Sequence, residues 1–457
     1  MDNLEEFKKY YNSDYWKIFK KKGIVFNIPK TLEERENLVE ETYNDILAGT
    51  YSPDTPLHYI YADKGKGVVR TIPVFKLKDY IVYYYCIKKL EKVIAINRVE
   101  NTFGGWSLGG VMRKNENEEL SIRKNDYDSY EDFIADASGI SISEYSFNPQ
   151  AWSIAYGELN AMLYASAQET EYKHIAVFDI SNFYDSIRLN ILRAQIEEVS
   201  TDNFTIKLLF HFLESVNTFN NSTLGLPQDA LGDCSRILAN FYLQEYDKFM
   251  HDLCKEYEAR YLRYSDDQFV FVKEETDLNF LMYKSSKWLC KFGLSINQKK
   301  VQFYSSEQLI TNRSFDIFDI ISTDEDREDS SKVEKFVDRY LAILDSQGLD
   351  NLKDKGKALL NRLIFCKGLA NIPYRKKIKI IACFLSNEYL STSTYEHFKR
   401  IYNLLAKNEQ DEFINQLNTL SDLLIHNRFH YQLVIFYEEL GIETEHIKKR
   451  ISDLENL

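Results

Sequence analysis

The stretch Arg260-Tyr-Leu-Arg-Tyr-Ser-Asp-Asp-Gln-Phe-Val-Phe-Val272 is the most informative part of this 457-residue chain. Apolar and polar residues alternate on both sides of its two adjacent aspartates, and this alternation is typical of β-strands. The pattern predicts a β-hairpin that carries Asp266 and Asp267 at its tight turn. Two carboxylates so close repel each other unless a cation neutralises them. A third carboxylate brought in by the fold would complete a site for a divalent ion such as Mg²⁺, whereas a solvated polar turn is the simpler alternative.

The overall composition indicates a globular cytoplasmic protein with no membrane partner. Hydrophobic residues make up 44% of the chain and charged residues 28%. The sequence contains no run of 18 apolar residues, and its acidic, polar start argues against a signal peptide. The cysteines form no Cys-x-x-Cys pair and are predicted to be reduced core thiols. They are Cys86, Cys234, Cys254, Cys290, Cys366 and Cys383.

The charge of the chain is acidic overall but uneven. The net charge of −13 and the pI near 5.3 count against a generic nucleic-acid binder. Residues 61–100, however, hold nine Lys and Arg against four Asp and Glu. A local excess of this kind is compatible with a basic groove, and a solvated basic face is the alternative.

The apolar patterns predict mixed helices and strands in the first two thirds of the chain and helices after that. Beyond the acidic stretch 323–331, residues 332–457 form successive amphipathic segments, which predict an all-helical domain. Residues 104–110 are rich in glycine. The expected strands lie at about 57–84, 172–180, the Asp266 hairpin, 294–304 and 313–320, and the expected helices at about 79–97, 149–169, 188–217, 233–256 and 277–291.

Asp179 is the candidate for the third carboxylate. It ends the buried strand that contains Ile175-Ala-Val-Phe178, where a side chain can face a cleft beside Asp266. A helix N-cap is the alternative role for this aspartate. Three further segments follow in the chain, namely Gly225-Leu-Pro-Gln228, Ser235-Arg-Ile-Leu-Ala-Asn-Phe-Tyr-Leu243 and Gly293-Leu-Ser-Ile-Asn-Gln-Lys-Lys300.

Taken in this order, the segments around Asp179, Gly225, Tyr264–Asp267 and Gly293 resemble the palm of a reverse transcriptase. Upstream, Lys64 and Arg70 resemble the finger strands of bacterial members of that family. The resemblance covers roughly residues 60–320 and rests on several motifs in the correct order. It implies an α+β right-hand polymerase with fingers and palm, followed by an all-α C-terminal domain. The implied divisions are an N-terminal extension with fingers (1–105), an insertion (106–148), a palm (149–322) and a helical thumb-like or helical-repeat domain (323–457).

The resemblance also implies a two-metal centre for nucleotidyl transfer. Asp179 and Asp266 would bridge two Mg²⁺ ions, with Mn²⁺ as an alternative metal, and Asp267 would support them. The backbone carbonyl of Ile180 would add a ligand. Lys300 would protonate the leaving pyrophosphate, and a surface lysine is the alternative.

A second implied group of residues would bind the deoxynucleotide. Lys64 and Arg70 would neutralise the triphosphate, with Lys66 as a substitute, and a solvated turn is the alternative. Tyr184 occupies the place of the family's sugar-sensing aromatic, where a ring would clash with a ribose 2′-hydroxyl. Gln228 would line the nucleotide pocket. The alternatives are a core aromatic for Tyr184 and an ordinary turn residue for Gln228.

The chain departs from the family pattern after Gln228. Asp229 replaces the usual glycine, and Ser235 and Arg236 stand where the family has serine and proline. Serine followed by arginine, with a helical C-terminal domain, resembles the Abi and unknown-group reverse transcriptases of bacterial antiphage defence. This implies an RNA-directed DNA polymerase that either copies a noncoding RNA or makes DNA without a template, primed by its own side chain. The altered loop at 229–234 and the acidic charge favour the second mode.

The implied partners are dNTPs, a nucleic-acid template or product, and a second copy of the chain or a defence protein. The alternative from another class is a catalytically inactive palm-fold module that binds nucleic acid or protein. The retained set of Asp179, Asp266 and Asp267 counts against it. An RNA-dependent RNA polymerase is a third alternative, which Tyr184 disfavours.

Overall fold

Helices predominate in the fold, and strands form three sheets, so the expected combination of helix and sheet is confirmed. In chain order the strands are β1 (His58–Asp63), β2 (Val69–Val74), β3 (Thr102–Phe103), β4 (Val111–Lys114), β5 (Leu120–Arg123), β6 (Ile140–Ser141), β7 (His174–Phe178), β8 (Arg260–Tyr264), β9 (Asp267–Val272) and β10 (Gln302–Ser305). This computed structural model describes residues 1–22, 28–64, 68–95, 98–109, 111–114, 120–123, 140–141, 145, 147, 151–219, 225–228, 232–347 and 349–455.

The helices lie in the N-terminal region, around the largest sheet and throughout the C-terminal region. They are α1 (Leu4–Lys9), α2 (Ser13–Lys22), α3 (Leu32–Ala48), α4 (Leu77–Ala95), α5 (Ala151–Gln168), α6 (Phe183–Ser186), α7 (Leu189–Val199), α8 (Asn203–Phe219), α9 (Gly232–Tyr242), α10 (Gln244–Glu256), α11 (Glu275–Lys291), α12 (Ser306–Arg313), α13 (Phe315–Phe318), α14 (Asp324–Glu328), α15 (Ser330–Gln347), α16 (Leu349–Ile364), α17 (Tyr374–Phe384), α18 (Asn387–Leu390), α19 (Tyr395–Leu404), α20 (Lys407–Leu423), α21 (Asn427–Leu440) and α22 (Glu445–Glu455).

The largest sheet has five strands in the order β10-β7-β9-β8-β3. The β7–β9, β8–β9 and β10–β7 pairs are antiparallel, and β3 runs parallel to β8. Successive side chains of β9 lie on opposite faces of the sheet, as in any strand, and pack into two different apolar clusters. Phe269 and Phe271 pack with Ile175 in one apolar cluster, whereas Val270 and Val272 belong to the larger one. Both faces of the sheet are therefore covered, which holds the hairpin rigidly.

Helix α4 is the centre of the larger core. Residues 80–87 are fully buried, because the helix is apolar on every side. The Tyr80 hydroxyl accepts a hydrogen bond from the backbone N–H of Phe75 at 3.2 Å, which fixes the start of the helix to the end of β2. The helix therefore begins at Leu77 and the β1–β2 hairpin ends before it, which resolves the overlap between the two in the sequence pattern.

The strand expected at 313–320 is wrong, because helices occupy this segment. Ser305 starts α12 with a capping box, in which its side chain accepts from the N–H of Gln308 and the Gln308 side chain accepts from Ser305 N–H. Ser314, at φ 58°, then ends α12 and begins α13. Short apolar runs do not distinguish strands from buried helices, which explains the error.

Every described element from Asp324 to Glu455 is helical. Helix α21 of this region packs on β1, so the C-terminal helices contact the N-terminal hairpin. None of the helices in the described ranges is both long and apolar enough to cross a membrane. All six cysteines are free thiols. Five of them are buried as predicted, whereas Cys290 is exposed, so the prediction of a core position is wrong for that residue.

Candidate active site

The Asp266 hairpin forms where the alternation of the sequence predicts it. Tyr264 pairs with Asp267 across the two strands, so Ser265 and Asp266 form a two-residue turn. Ser265 has a φ of 53°, a left-handed conformation that costs a non-glycine residue about 1 kcal/mol or more. Backbone strain of this kind persists only where the surroundings hold it, so the contacts of the turn matter.

A buried arginine holds this turn. Arg263 is fully buried on β8, and its guanidinium forms two hydrogen bonds with the carboxylate of Asp247, at 2.7 and 2.6 Å. Its third nitrogen donates to the backbone oxygen of Ser265 at 2.7 Å and to Oδ1 of Asn240 at 2.9 Å. The planar fork therefore ties the turn to helices α9 and α10 at once.

The glycine-rich segment supports the same turn from the other side. The side chain of Asn240 donates to the carbonyl oxygens of Gly104 and Gly105 at 3.2 and 2.8 Å. A Cβ atom on Gly104 would lie 2.9 Å from the backbone nitrogen of Ser265, and Gly104 has a φ of +113°. Only glycine allows the chain to pass this close to the turn.

Asp179 lies beside the hairpin, as expected. Phe178 pairs with Gln268, and the same register continued by one residue sets Asp179 next to Asp267. Asp179 is 4% exposed, and its Oδ1 is buried without a hydrogen-bond partner among the described residues. Its Oδ2 accepts a hydrogen bond from Nζ of Lys300 at 2.5 Å. One buried carboxylate oxygen is thus left for a further ligand.

The segment after Gly293 brings Lys300 to the site. Asn297 N–H donates to the backbone oxygen of Asp179 at 2.9 Å, and Ser181 N–H donates to the backbone oxygen of Ser295 at 2.8 Å. A short 3₁₀ turn, Gln298–Lys300, then directs the lysine toward Asp179. Ile180 forms a β-bridge with Ile296 in this pairing.

The carboxylates of the site destabilise one another's charged forms. Burial, followed by repulsion from Asp266, raises the pKa of Asp267 to about 6. The pKa of Asp266 is also raised, mainly by burial and also by the charge of Asp179. For Lys300, burial lowers the pKa, but the hydrogen bond to Asp179 and the charges of the three aspartates together outweigh it, so the pKa is raised. The charged forms of Asp266 and Asp267 are therefore only partly compensated by the groups around them.

The segment that contains Gly225 is built against the backbone that follows Asp179. A Cβ atom at Gly225 would lie 2.0 Å from the carbonyl oxygen of Tyr184, and Leu226 N–H donates to that oxygen at 3.0 Å. Ser235 donates to the carbonyl oxygen of Pro227 at 2.5 Å and lies 2.8 Å from the Tyr83 hydroxyl. Gln228 is half-buried at the end of this turn.

Tyr184 lies against the turn of the hairpin. Its hydroxyl is 3.3 Å from Oγ of Ser265, and burial raises its pKa. Arg236, which replaces the family's proline, forms an ion pair with Asp233, and its charge interacts with Tyr184. Residues 229–231, including Asp229, lie outside the described residues.

The cations of the β1–β2 hairpin face the carboxylates. The charge of Lys64 interacts with those of Arg70, Asp185 and Asp266, and partial burial together with Arg70 lowers its pKa. Burial raises the pKa of Asp185, although the positive charges of Lys64 and Arg70 act to lower it. The expected pair of cations is therefore brought to the site, while Lys66 lies outside the described residues.

The described residues contain no preformed cluster of three His, Cys, Asp or Glu side chains that could hold a metal ion. The unpartnered oxygen of Asp179 and the raised pKa values of Asp266 and Asp267 nevertheless fit a cation. Carboxylate oxygens are the ligands that Mg²⁺ prefers. These three residues are the ones that could hold a metal.

The fold thus brings Asp179, Asp266, Asp267 and Lys300 together, with Lys64, Arg70 and Tyr184 around them. Their roles, and those of Gln228 and the carbonyl of Ile180, stay predictions. Sequence reasoning missed the residues that position the site, although a charged residue inside an apolar strand and a run of glycines were visible signals. The missed residues are Gly104, Asp185, Asn240, Asp247 and Arg263.

Comparison with known proteins agrees with this arrangement. Residues 124–334 match the family described as reverse transcriptase (RNA-dependent DNA polymerase). The chain carries a reverse transcriptase domain. The domain indicates nucleotidyltransferase activity and suggests RNA-directed DNA polymerase activity. It includes Asp179, Asp266 and Lys300, whereas the β1–β2 hairpin precedes it and most of the C-terminal helices follow it.

Two solved structures similar to most of the chain are telomerases from Candida tropicalis. The apo telomerase is 11% identical over 93% of this chain and 72% of that chain, with a TM-score of 0.34. The telomerase in complex with the TWJ fragment of telomeric RNA is 13% identical over 91% of this chain and 67% of that chain, with a TM-score of 0.33. No curated protein sequence matches the chain.

Proposed function

We propose that this chain is an antiphage-defence reverse transcriptase with right-hand polymerase architecture. The five-stranded sheet would be the palm (149–322), β1 and β2 would belong to the fingers (1–105), and 323–457 would replace an ordinary thumb. The observation that carries the proposal is the meeting of Asp179 with the Asp266 hairpin inside a reverse transcriptase domain. Arg236 and the helical C-terminal region support the defence subgroup, and absence of disulfides supports a cytoplasmic location.

Asp179, Asp266 and Asp267 would hold Mg²⁺, or Mn²⁺, with the backbone carbonyl of Ile180. The bound metal would supply activation of the attacking 3′-hydroxyl and charge neutralisation on the leaving pyrophosphate. The unpartnered buried oxygen of Asp179 supports this assignment, because a buried carboxylate oxygen without a donor is costly. In the free protein, the ion pair with Lys300 neutralises part of the charge of Asp179.

The residues around the carboxylates would select and hold a deoxynucleotide. Lys64 and Arg70 would bind the triphosphate by charge-assisted hydrogen bonds. The Tyr184 ring, whose hydroxyl lies beside Ser265 Oγ, would exclude a ribose 2′-hydroxyl. Gln228 would contact the nucleotide from the end of its turn.

Lys300 would act as the proton donor to pyrophosphate. Its pKa is raised, so its ammonium is protonated at neutral pH, and its side chain is 65% exposed. A donor must lie within hydrogen-bond reach of the atom it protonates. The ammonium would therefore leave Oδ2 of Asp179 for the pyrophosphate oxygen during the reaction.

Two modes of synthesis are compatible with this site: copying a noncoding RNA, or adding dNTPs without a template from a side-chain primer. A polymerisation assay with each dNTP alone, with and without RNA, separates them. Homopolymer made from one dNTP by RNA-free enzyme would reject the templated mode. Activity that persists in the double variant Asp266→Asn, Asp267→Asn would reject the catalytic role of the hairpin.

A further inference from the structure

The N-terminal end of helix α21 is fastened to the edge of the β1–β2 hairpin. Asn427 is fully buried, and its amide accepts from Tyr61 N–H at 2.7 Å and donates to the Tyr59 carbonyl at 3.0 Å. These two bonds copy the pairing that another strand would make with β1. The ring of His58 stacks on that of Tyr431 with a centroid distance of 5.0 Å and an angle of 7°. The helix therefore has a fixed position relative to the hairpin.

This docking sets Arg428 beside the cations of the hairpin. Arg428 directly follows Asn427, whose side chain is hydrogen-bonded to Tyr61 of β1. The next residue of β1, Ala62, is paired with Arg70 of β2. Burial, and then repulsion from Arg70, lowers the pKa of Arg428. The C-terminal helices thus bring a third cation to Lys64 and Arg70.

The three cations form no ion pair with a carboxylate of the described residues, although Lys64 and Arg70 interact at longer range with the charge of Asp185. No hydrogen bond or ion pair from the Arg70, Arg428 or Lys64 side chain is made to any residue in the described ranges. The nearest acid on β1, Asp63, lies 3.5 Å from Nε2 of His426. Lys64 and Arg70 are exposed and Arg428 is half-buried, so an anion from outside the chain can reach all three cations.

We propose that Arg428 binds the triphosphate of the incoming nucleotide together with Lys64 and Arg70. The inference rests on the proposed function and extends it, because it assigns a substrate contact to the C-terminal helices. A polyphosphate offers several oxygens to cations on different elements, and a guanidinium can bind two of them in parallel. Helix α21 would thereby link nucleotide binding to the docking of the C-terminal region.

The test uses the full-length protein and three probes: dATP, inorganic tripolyphosphate and a single-stranded oligodeoxynucleotide. We expect Arg428→Gln to weaken binding of dATP and tripolyphosphate by roughly 10- to 100-fold, the loss typical of a hydrogen bond to a charged group. Arg428→Lys should weaken them less, and oligonucleotide binding should be nearly unchanged. In polymerisation, KM for the dNTP should rise more than kcat falls.

Arg375→Gln, at an exposed position on α17, is the matched control and should bind all three probes like the wild type. The melting temperature of Arg428→Gln should equal or exceed that of the wild type, because the variant removes a half-buried cation that is repelled by Arg70 and forms no ion pair among the described residues. Loss of oligonucleotide binding with dATP binding intact would overturn the inference in favour of a strand contact. Unchanged binding of all three probes would overturn it as well. Wild-type protein that binds tripolyphosphate but never polymerises dNTPs would instead refute the proposed function alone.

Discussion

Replacing Arg263 by lysine tests whether the Asp266 turn is held in place by the buried arginine. Lysine keeps the positive charge beside Asp247, but it has no planar fork and cannot also reach Asn240 and Ser265. The variant therefore loses two charge-assisted hydrogen bonds. A hydrogen bond to a charged group contributes about 1.5–3 kcal/mol. Because two such bonds are lost, we expect the free energy of unfolding to fall by roughly 3 kcal/mol.

The substitution should also slow catalysis, by a free energy similar to its effect on folding. Without the bond to its carbonyl oxygen, Ser265 is free to leave its left-handed conformation at φ 53°, and Asp266 moves with it. A displacement of about 1 Å can cost roughly 100-fold in rate. We expect kcat for dNTP addition to fall by about that factor while KM for the dNTP changes little.

The control is Arg260→Lys, at the other end of the same strand. Arg260 donates to Ser166 at 2.9 Å and forms an ion pair with Glu169, but it does not touch the turn. Urea unfolding and steady-state dNTP addition are measured for both variants at temperatures where each is fully folded. If Arg263→Lys lowers kcat no more than Arg260→Lys, the positioning role of Arg263 is refuted.

Three other predictions follow from single contacts. Tyr184→Ala should reduce discrimination against rNTPs by about 10-fold or more in competitive incorporation, and unchanged discrimination would exclude a sugar-sensing role. Gly225→Ala should destabilise the protein by at least about 1–3 kcal/mol in urea unfolding, because its Cβ would lie 2.0 Å from the Tyr184 carbonyl oxygen. Gly157→Ala, in a helix with open space, should be neutral or stabilising. Burial raises the pKa of Asp79 to about 6, so the free energy of unfolding should fall by up to about 3 kcal/mol as pH rises from about 4 to 6. In Asp79→Asn this dependence on pH should be weaker, because the amide does not titrate.

Local parts of this fold could be predicted from sequence, and distant pairings could not. The alternation of apolar and polar residues around Asp266 predicts the hairpin, because this pattern is set by residues that are neighbours in the sequence. The meeting of Asp179 with Asp266 was expected from the place of Asp179 at the end of a buried strand and from the family resemblance, but the sequence does not show the strand register that sets it. The contact of Asn427 with Tyr61 joins residues 366 positions apart, and no local pattern encodes it.

The same distinction applies to the candidate site. The charged groups stood out by their residue types and spacing, whereas the residues that hold them did not. Arg263 is unusual in an apolar strand, but its partner Asp247 lies on a helix that the sequence showed only as amphipathic. Packing of this kind depends on tertiary structure, which explains why the supporting network was missed.

The central claim is that the carboxylates of the hairpin and of Asp179 carry nucleotidyl transfer. Its most direct test is single-turnover incorporation of a labelled dNTP in Mg²⁺ by the wild type and by Asp266→Asn, which keeps the shape of the side chain and removes its charge. The account predicts a rate at least about 1000-fold lower, equivalent to roughly 4 kcal/mol of transition-state stabilisation, at an unchanged melting temperature. A folded Asp266→Asn variant that incorporates the dNTP at the wild-type rate would contradict the account.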